Sequence, residues 1–154
     1  MPQSYGGSNT RLRFARVEGF SFSTDVQVRF AETDAQGIAH HAAFLVWCEV
    51  ARVAWLDMYA GGYKAIRERG IEALTTDVAL HYHQAAHFHD RLTVWTRCAE
   101  VRGARFRYAY RIERDGELVA EGHTGHATVD AVSRRPIRVP AWFAEAVATA
   151  QATG

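Results

Sequence analysis

Residues 28–52 decide the fold, and they read VRFAETDAQGIAHHAAFLVWCEVAR. The stretch leaves an alternating segment, passes through the turn-forming residues TDAQG at 33–37, and then becomes almost continuously apolar. From His41 to Tyr59 apolar residues occupy nearly every side of a helical projection, which predicts one long helix. A helix of this kind needs partners all round, so we expect it to be buried rather than laid on a surface.

Alternating polar and apolar residues on either side of this helix predict strands. The first covers residues 21–32, and Asp115-Gly116 has the composition of a tight hairpin turn. The further strands are expected near 78–82, 92–96, 106–112 and 118–130, with short helices over 64–69 and 141–150. This order predicts an α+β fold in which an antiparallel sheet curls around one buried central helix.

Length and charge narrow the class of protein. A chain of 154 residues favours one domain, which we place at 21–150 after a flexible lead-in over 1–20. The net charge of +1 gives no reason to expect nucleic acid as a partner. The longest apolar run, 42–48, is too short for membrane insertion, and the first residues lack the apolar core of a signal peptide. With two cysteines at no metal or redox spacing, we predict a cytoplasmic protein.

The stretch 28–52 closely resembles the signature of the 4-hydroxybenzoyl-CoA thioesterase family, including its bacterial Tol–Pal-associated acyl-CoA thioesterase branch. The segments DRLTV at 90–94 and RPIRVP at 135–140 extend the resemblance over roughly residues 21–140. It implies a hotdog fold, a homodimer or homotetramer with the acyl pocket at the subunit boundary, and hydrolysis of an aromatic or short- to medium-chain acyl-CoA. It implies no metal and no cofactor besides the coenzyme A of the substrate. Ala43 and Phe44 depart from the branch, which has Asn and Tyr there, so the substrate preference stays open.

Candidate catalytic groups lie where the turn meets the helix. Thioester hydrolysis needs donors for an oxyanion, and the start of a helix offers free backbone N–H groups and a positive dipole end. By the resemblance, Asp34 is the catalytic carboxylate, acting as nucleophile or general base. Gly37 would let the backbone approach the substrate, and the N–H of His41 would polarise the thioester oxygen. A single Asp before a helix is, however, also typical of an Asx-turn or a helix cap.

Glu49 and His40 are secondary candidates for the catalytic site. Some hotdog thioesterases place their catalytic acid on the central helix, where this chain has Glu49. Arg52 is three residues further on, which favours a buried ion pair between the two side chains over a catalytic role for Glu49. His40 precedes His41 at a position where the family more often has an aromatic residue.

Binding of the coenzyme A phosphates needs arginine or backbone donors. The resemblance assigns this role to Arg102, Gly103 and Arg105, with Arg135 near the same end. The competing interpretation is that these arginines belong to the solvated face of a strand.

Histidines at 81, 83, 87 and 89 have even spacings, so a straight strand would place all four on one side. Such pairs can bind zinc, although an outer face or a subunit interface is the favoured interpretation. Three other functions stay open. They are hydrolysis of acyl groups on an acyl-carrier protein by the same fold, acyl-CoA binding without catalysis, and a metal-binding all-β module of the cupin type.

Overall fold

Five antiparallel strands form one sheet in the computed structural model, which describes residues 19–152. The strands are β1 (Phe22–Gln27), β2 (Ile71–Tyr82), β3 (Arg91–Arg102), β4 (Arg105–Arg114) and β5 (Glu117–Asp130). Their order in the sheet is β1-β3-β4-β5-β2, so β1 and β2 are the edges. The predicted lead-in over 1–20 lies outside the described residues, apart from its last two positions.

Three helices accompany the sheet: α1 (Ala43–Tyr59), α2 (Tyr63–Glu68) and α3 (Ala141–Ala152). α1 contains no glycine or proline and ends where both Gly61 and Gly62 adopt positive φ. There the N–H groups of Ala60 and Gly62 both donate to the carbonyl of Leu56, so this carbonyl in the last turn of the helix is hydrogen-bonded. No helix in the described part of the chain is long and apolar enough to span a bilayer.

The core lies between α1 and one face of the sheet. α1 contributes Trp47, Cys48, Ala51 and Trp55, each at most 2% exposed. The Trp55 ring packs edge-on against Tyr108 of β4, with 5.5 Å between ring centroids. Because these α1 residues recur every three or four positions, they form one buried stripe along the helix. The long helix and the antiparallel sheet packed on it are therefore as predicted.

Two expectations about these elements are wrong. α1 is not buried on every side within one chain, because Val46 is 46%, Val50 45% and Met58 65% exposed. β2 begins at Ile71, well before the predicted 78–82, because its pairing with β5 over the whole length defines it rather than its own apolar pattern. The predicted turn at Asp115-Gly116 is confirmed, with φ of +52° and +83°.

Replacing Trp55 by alanine tests the core. The substitution removes a 1% exposed indole between helix and sheet, and we expect a loss of about 3–5 kcal/mol in the free energy of unfolding. Met58→Ala, on the exposed side of the same helix, is the control and should cost about 0.5 kcal/mol or less. Urea unfolding followed by circular dichroism measures both. Equal losses would contradict this placement of α1.

Candidate active site

The loop between β1 and α1 folds back on itself. A 3₁₀ turn at Phe30–Glu32 is followed by an isolated bridge between Thr33 and Ala39. Inside this bridge the N–H of Asp34 donates to the carbonyl of Ile38, and the N–H of Gly37 donates to the carbonyl of Asp34, both at 3.0 Å. Gly37 has a φ of +78°, which explains a glycine at this position.

Glu32 fixes the loop to α1, a role that the residues around it in the sequence do not indicate. Its side chain is 7% exposed and accepts hydrogen bonds from the Trp47 indole N–H at 2.8 Å and from the Arg29 backbone N–H at 2.9 Å. Its backbone carbonyl accepts from the N–H of His40 at 2.7 Å. No local pattern indicates a contact between residues fifteen positions apart, so only the fold reveals this anchor.

Asp34 forms an Asx-turn and does not cap the helix. Its Oδ1 accepts the backbone N–H of Gln36 at 2.8 Å, whereas α1 begins only at Ala43. The second carboxylate oxygen, Oδ2, has no hydrogen-bond donor among the described residues. The side chain is partly exposed, so this oxygen is available to a ligand or a water molecule.

Two of the three backbone N–H groups of residues 40–42 are hydrogen-bonded. The ring Nδ1 of His40 accepts the N–H of Ala42 at 3.1 Å, and the carbonyl of His40 accepts the N–H of Ala43 at 2.9 Å. The Tyr82 hydroxyl donates to the carbonyl of His41 at 3.0 Å. Within residues 19–152 the N–H of His41 has no acceptor, and it lies at the positive end of α1.

Glu49 and Arg52 are close, but the predicted buried ion pair is wrong in one respect. Their closest charged atoms are 3.9 Å apart, and the Glu49 side chain is 68% exposed while that of Arg52 is 18% exposed. The arginine is thus partly buried beside a solvated carboxylate. Glu49 lies about 12 Å along the helix from His41, at 1.5 Å per residue, so it is no part of the Asp34 loop.

Beneath Arg52 a chain of hydrogen bonds enters the core. Arg52 donates to the Tyr110 hydroxyl at 3.1 Å, Tyr110 is 2.8 Å from the Thr124 hydroxyl, and Thr124 is 2.8 Å from Nε2 of His126. Arginine only donates, so the simplest arrangement has each hydroxyl donating onward to an unprotonated Nε2. Burial, followed by the positive charge of Arg52, lowers the pKa of His126 to about 4.

The predicted phosphate-binding arginines lie at the opposite end of the sheet. Arg102 and Arg105 flank the turn between β3 and β4, where Gly103 has a φ of +59°, and both line an open cleft of about 540 Å³. Arg135 is not among the residues that line it. The other end of β3 adjoins the Asp34 loop, because the N–H of Val28 donates to the carbonyl of Asp90. At roughly 3.3 Å per residue, β3 separates the two places by about 36 Å.

The four evenly spaced histidines do not share one side of a strand. β2 ends at Tyr82, so His83 and the two histidines after it lie in the connection to β3. His83 lies near Glu121 at 3.9 Å, and His87 near Asp90 at 3.7 Å. No group of three or more potential metal ligands occurs between residues 19 and 152. The alternative of an all-β module of the cupin type is wrong, because the 17-residue helix α1 packs against the sheet.

Comparison with known proteins identifies the class. The chain resembles Slr0204 from Synechocystis, a 1,4-dihydroxy-2-naphthoyl-CoA thioesterase, with a TM-score of 0.76 and 25% identity over 82% of this chain and 95% of that one. Five antiparallel strands around one helix, together with this match, define a thioesterase of the hotdog fold. The predicted hotdog fold is confirmed.

Sequence comparison then gives the family. The model of the Thioesterase-like superfamily matches residues 28–147, and the chain belongs to this family. YneP from Bacillus subtilis, provisionally named an acyl-CoA thioesterase, is 32% identical over 74% of this chain and 83% of its own length. The acyl-CoA thioesterase YbgC from Haemophilus influenzae is 30% identical over 79% of this chain and 89% of its own length. The predicted recognition as a thioesterase is confirmed, whereas the association with Tol–Pal stays a prediction.

The lowered pKa of His126 makes folding depend on pH. The folded pKa of about 4 lies below the ordinary value of 6.5, so the unfolded chain binds the proton more readily. Stability is therefore complete above pH 6.5 and falls as the pH drops towards 4, by up to about 3 kcal/mol from this group. We expect His126→Gln to remove that part of the pH dependence in urea unfolding at pH 7.5, 5.5 and 4.5. An unchanged difference between these pH values would show that His126 is not buried in its neutral form.

Proposed function

We propose that this protein hydrolyses acyl-CoA thioesters, with Asp34 as the catalytic carboxylate and the N–H of His41 as the oxyanion donor. The single observation that favours this assignment is the loop itself. It presents a carboxylate with one free oxygen and leads directly to an unpaired N–H at the start of α1. The names of the relatives, which are acyl-CoA thioesterases, support the substrate class.

The chemistry follows from these two groups. The N–H of His41 would stabilise the negative charge that develops on the thioester oxygen. Asp34 would either attack the carbonyl carbon or take the proton from the water molecule that does. In both routes the C–S bond breaks, and coenzyme A leaves as a thiolate that then takes up a proton. In the nucleophilic route the acyl group stays on Asp34 as a mixed anhydride, which a water molecule then hydrolyses to the free acid and the regenerated carboxylate. Gly37 has no side chain to shield the loop backbone from the substrate.

A site built from two subunits would bring the separated parts together. Within one chain about 36 Å of β3 lie between the Asp34 loop and the cleft of Arg102 and Arg105. β2 is an edge strand whose start lies at the arginine end of the sheet, while Tyr82 at its other end contacts the loop. Antiparallel pairing of β2 with a second copy would place the loop of one subunit beside the arginine cleft of the other.

The surface supports such a homodimer, or a tetramer built from it. Val46, Val50 and Val53 form an exposed apolar row along α1, and β2 exposes Leu74 and Val78. Solvent-exposed apolar rows beside an unpaired strand edge are typical of surfaces that bind another chain. The acyl group would then be held at the subunit boundary, and a metal or redox cofactor has no step in this chemistry. The cytoplasmic location stays a prediction.

Replacing Asp34 by asparagine tests the catalytic assignment. Removal of the base or nucleophile should lower kcat by at least about a hundredfold on whichever acyl-CoA the wild type hydrolyses. Asp57→Asn, an exposed carboxylate on α1, is the matched control and should retain wild-type turnover. Release of free coenzyme A can be followed with a thiol reagent, because Cys48 and Cys98 are buried and burial raises the pKa of both thiols to about 12. Wild-type rates in Asp34→Asn would refute the assignment.

A charged residue placed in the exposed apolar row of α1 tests whether this surface forms the proposed homodimer. We expect Val50→Asp to convert the wild-type oligomer to a monomer in multi-angle light scattering, since it would bury an unpaired carboxylate at the interface. Gln27→Asp is the control, because Gln27 is exposed on β1, the edge strand at the other side of the sheet from β2. It should leave the mass unchanged. A monomeric wild type would rule out the two-subunit site.

A further inference from the structure

A cavity of about 360 Å³ lies between α1, the sheet and the segment that leads into α3. Its walls are mainly apolar and aromatic, and Leu56, Ile71, Phe106, Trp142 and Phe143 are among them. The volume lies within the range of ligand sites in proteins, where a few polar groups set the specificity among apolar walls. Nothing in the Asp34 loop lines this cavity.

Arg52 is the arginine that lines the cavity, and the carboxylates of Glu49 and Glu72 line it too. The charge of Glu72 is neutralised by two arginines that do not line the cavity, since Glu72 pairs with Arg67 at 3.3 Å and with Arg134. Within residues 19–152 the one carboxylate paired with Arg52 is Glu49, which is 3.9 Å away and 68% exposed at the rim, so the guanidinium is the less fully neutralised of the two lining positions. A guanidinium beside apolar walls interacts with an anion more strongly than it would in water.

The hydrogen-bond chain that starts at Arg52 runs beneath the cavity and leaves guanidinium donors free. Tyr110 accepts only one of the five guanidinium N–H groups of Arg52. Thr124 occupies Nε2 of His126, which leaves the proton of this neutral ring on Nδ1. His126 is 3% exposed and lines the cavity, with its ring stacked on Phe106 at 5.3 Å. The guanidinium of Arg52 is thus available to an oxygen acceptor in the cavity, beside the neutral ring of His126.

We propose that this cavity binds the acyl group of the substrate and selects an acyl chain that ends in a second carboxylate. Arg52 would pair with that carboxylate, since planar guanidinium and carboxylate groups form two parallel hydrogen bonds. Tyr110 holds the guanidinium in place from below, and the aromatic walls take the intervening carbon chain. Arg52 is in this scheme a specificity-determining residue and takes no part in breaking the thioester.

The position of the cavity relative to the Asp34 loop rests on the proposed function. The cavity is lined by the later half of α1 and the first half of β2, which lie at the end of the molecule away from the loop. In the antiparallel dimer proposed above, this end lies beside the loop of the other subunit. Each loop would act on a thioester whose acyl group occupies the cavity of its partner.

Two substrates of equal chain length test whether the cavity selects acyl chains that end in a carboxylate. Suberyl-CoA and octanoyl-CoA both have eight-carbon acyl chains. The chain of suberyl-CoA ends in a carboxylate, and that of octanoyl-CoA ends in a methyl group. We expect the wild-type kcat/KM to be at least about tenfold higher for suberyl-CoA than for octanoyl-CoA. A tenfold ratio corresponds to the weakest hydrogen bonds that charged groups make in proteins. Arg52→Gln should abolish this ratio, because it removes the charge that distinguishes the two acyl chains. Arg91→Gln, an exposed strand arginine outside the cavity, controls for net charge.

A second variant and a direct binding measurement keep the test decisive. Tyr110→Phe retains the ring but frees the guanidinium, and should lower the ratio several-fold even if Arg52→Gln fails to fold. Titration calorimetry with octanoate, and with 1-octanol as the uncharged control, measures the cavity without catalysis. Octanoate should bind the wild type more tightly than 1-octanol does, and Arg52→Gln should remove the difference.

The outcomes separate the two proposals. Equal kcat/KM for both substrates, an unchanged ratio in Tyr110→Phe, or a higher kcat/KM for 4-hydroxybenzoyl-CoA than for suberyl-CoA would overturn the carboxylate selection. Each of these results would leave thioester hydrolysis standing. If no acyl-CoA is hydrolysed, the proposed function fails, and the octanoate titration alone decides whether the cavity binds a carboxylate.

Discussion

The burial of α1 against the sheet is the interaction on which the rest of the structure depends. Trp47, Cys48, Ala51 and Trp55 bury one stripe of this helix, each residue at most 2% exposed. Full burial of large apolar side chains contributes about 1.5–3 kcal/mol each, so the contact fixes where the helix lies and where it starts. The active-site loop precedes that start, and its geometry therefore depends on the same packing.

Glu32 connects the packing to the loop. A carboxylate that is almost fully buried is costly unless its oxygens are hydrogen-bonded, and both are, by the Trp47 indole and the Arg29 backbone. Because Trp47 belongs to the buried stripe, the core holds the beginning of the loop directly. The turn at Asp34 and the unpaired N–H of His41 follow within a few residues. The proposed catalytic carboxylate can therefore be partly exposed and still be held in one position.

The helix has a second apolar face, which the chain does not cover by itself. Val46, Val50 and Val53 are 39–46% exposed, and Arg52 lies between this face and the core. The hydrogen bonds from Arg52 through Tyr110 and Thr124 to His126 give the arginine a fixed base in the sheet. Arg52 thus links the surface that would meet a second subunit with the cavity beneath it. Its charge also contributes to keeping His126 neutral.

The long helix, the antiparallel strands, the tight turn at Asp115-Gly116 and the family are all predictable from the amino-acid sequence, because they depend on local periodicity, turn chemistry and one contiguous motif. The sequence also placed Asp34 and His41 in one loop, since they are only seven residues apart. The three-dimensional structure was needed to show that β2 begins at Ile71, that Glu32 accepts a hydrogen bond from Trp47, and that a chain of hydrogen bonds connects Arg52 with His126. It also showed that the arginine cleft lies at the other end of β3 from the Asp34 loop. Those features depend on contacts between residues far apart in the chain, and a local pattern carries no information about such distances.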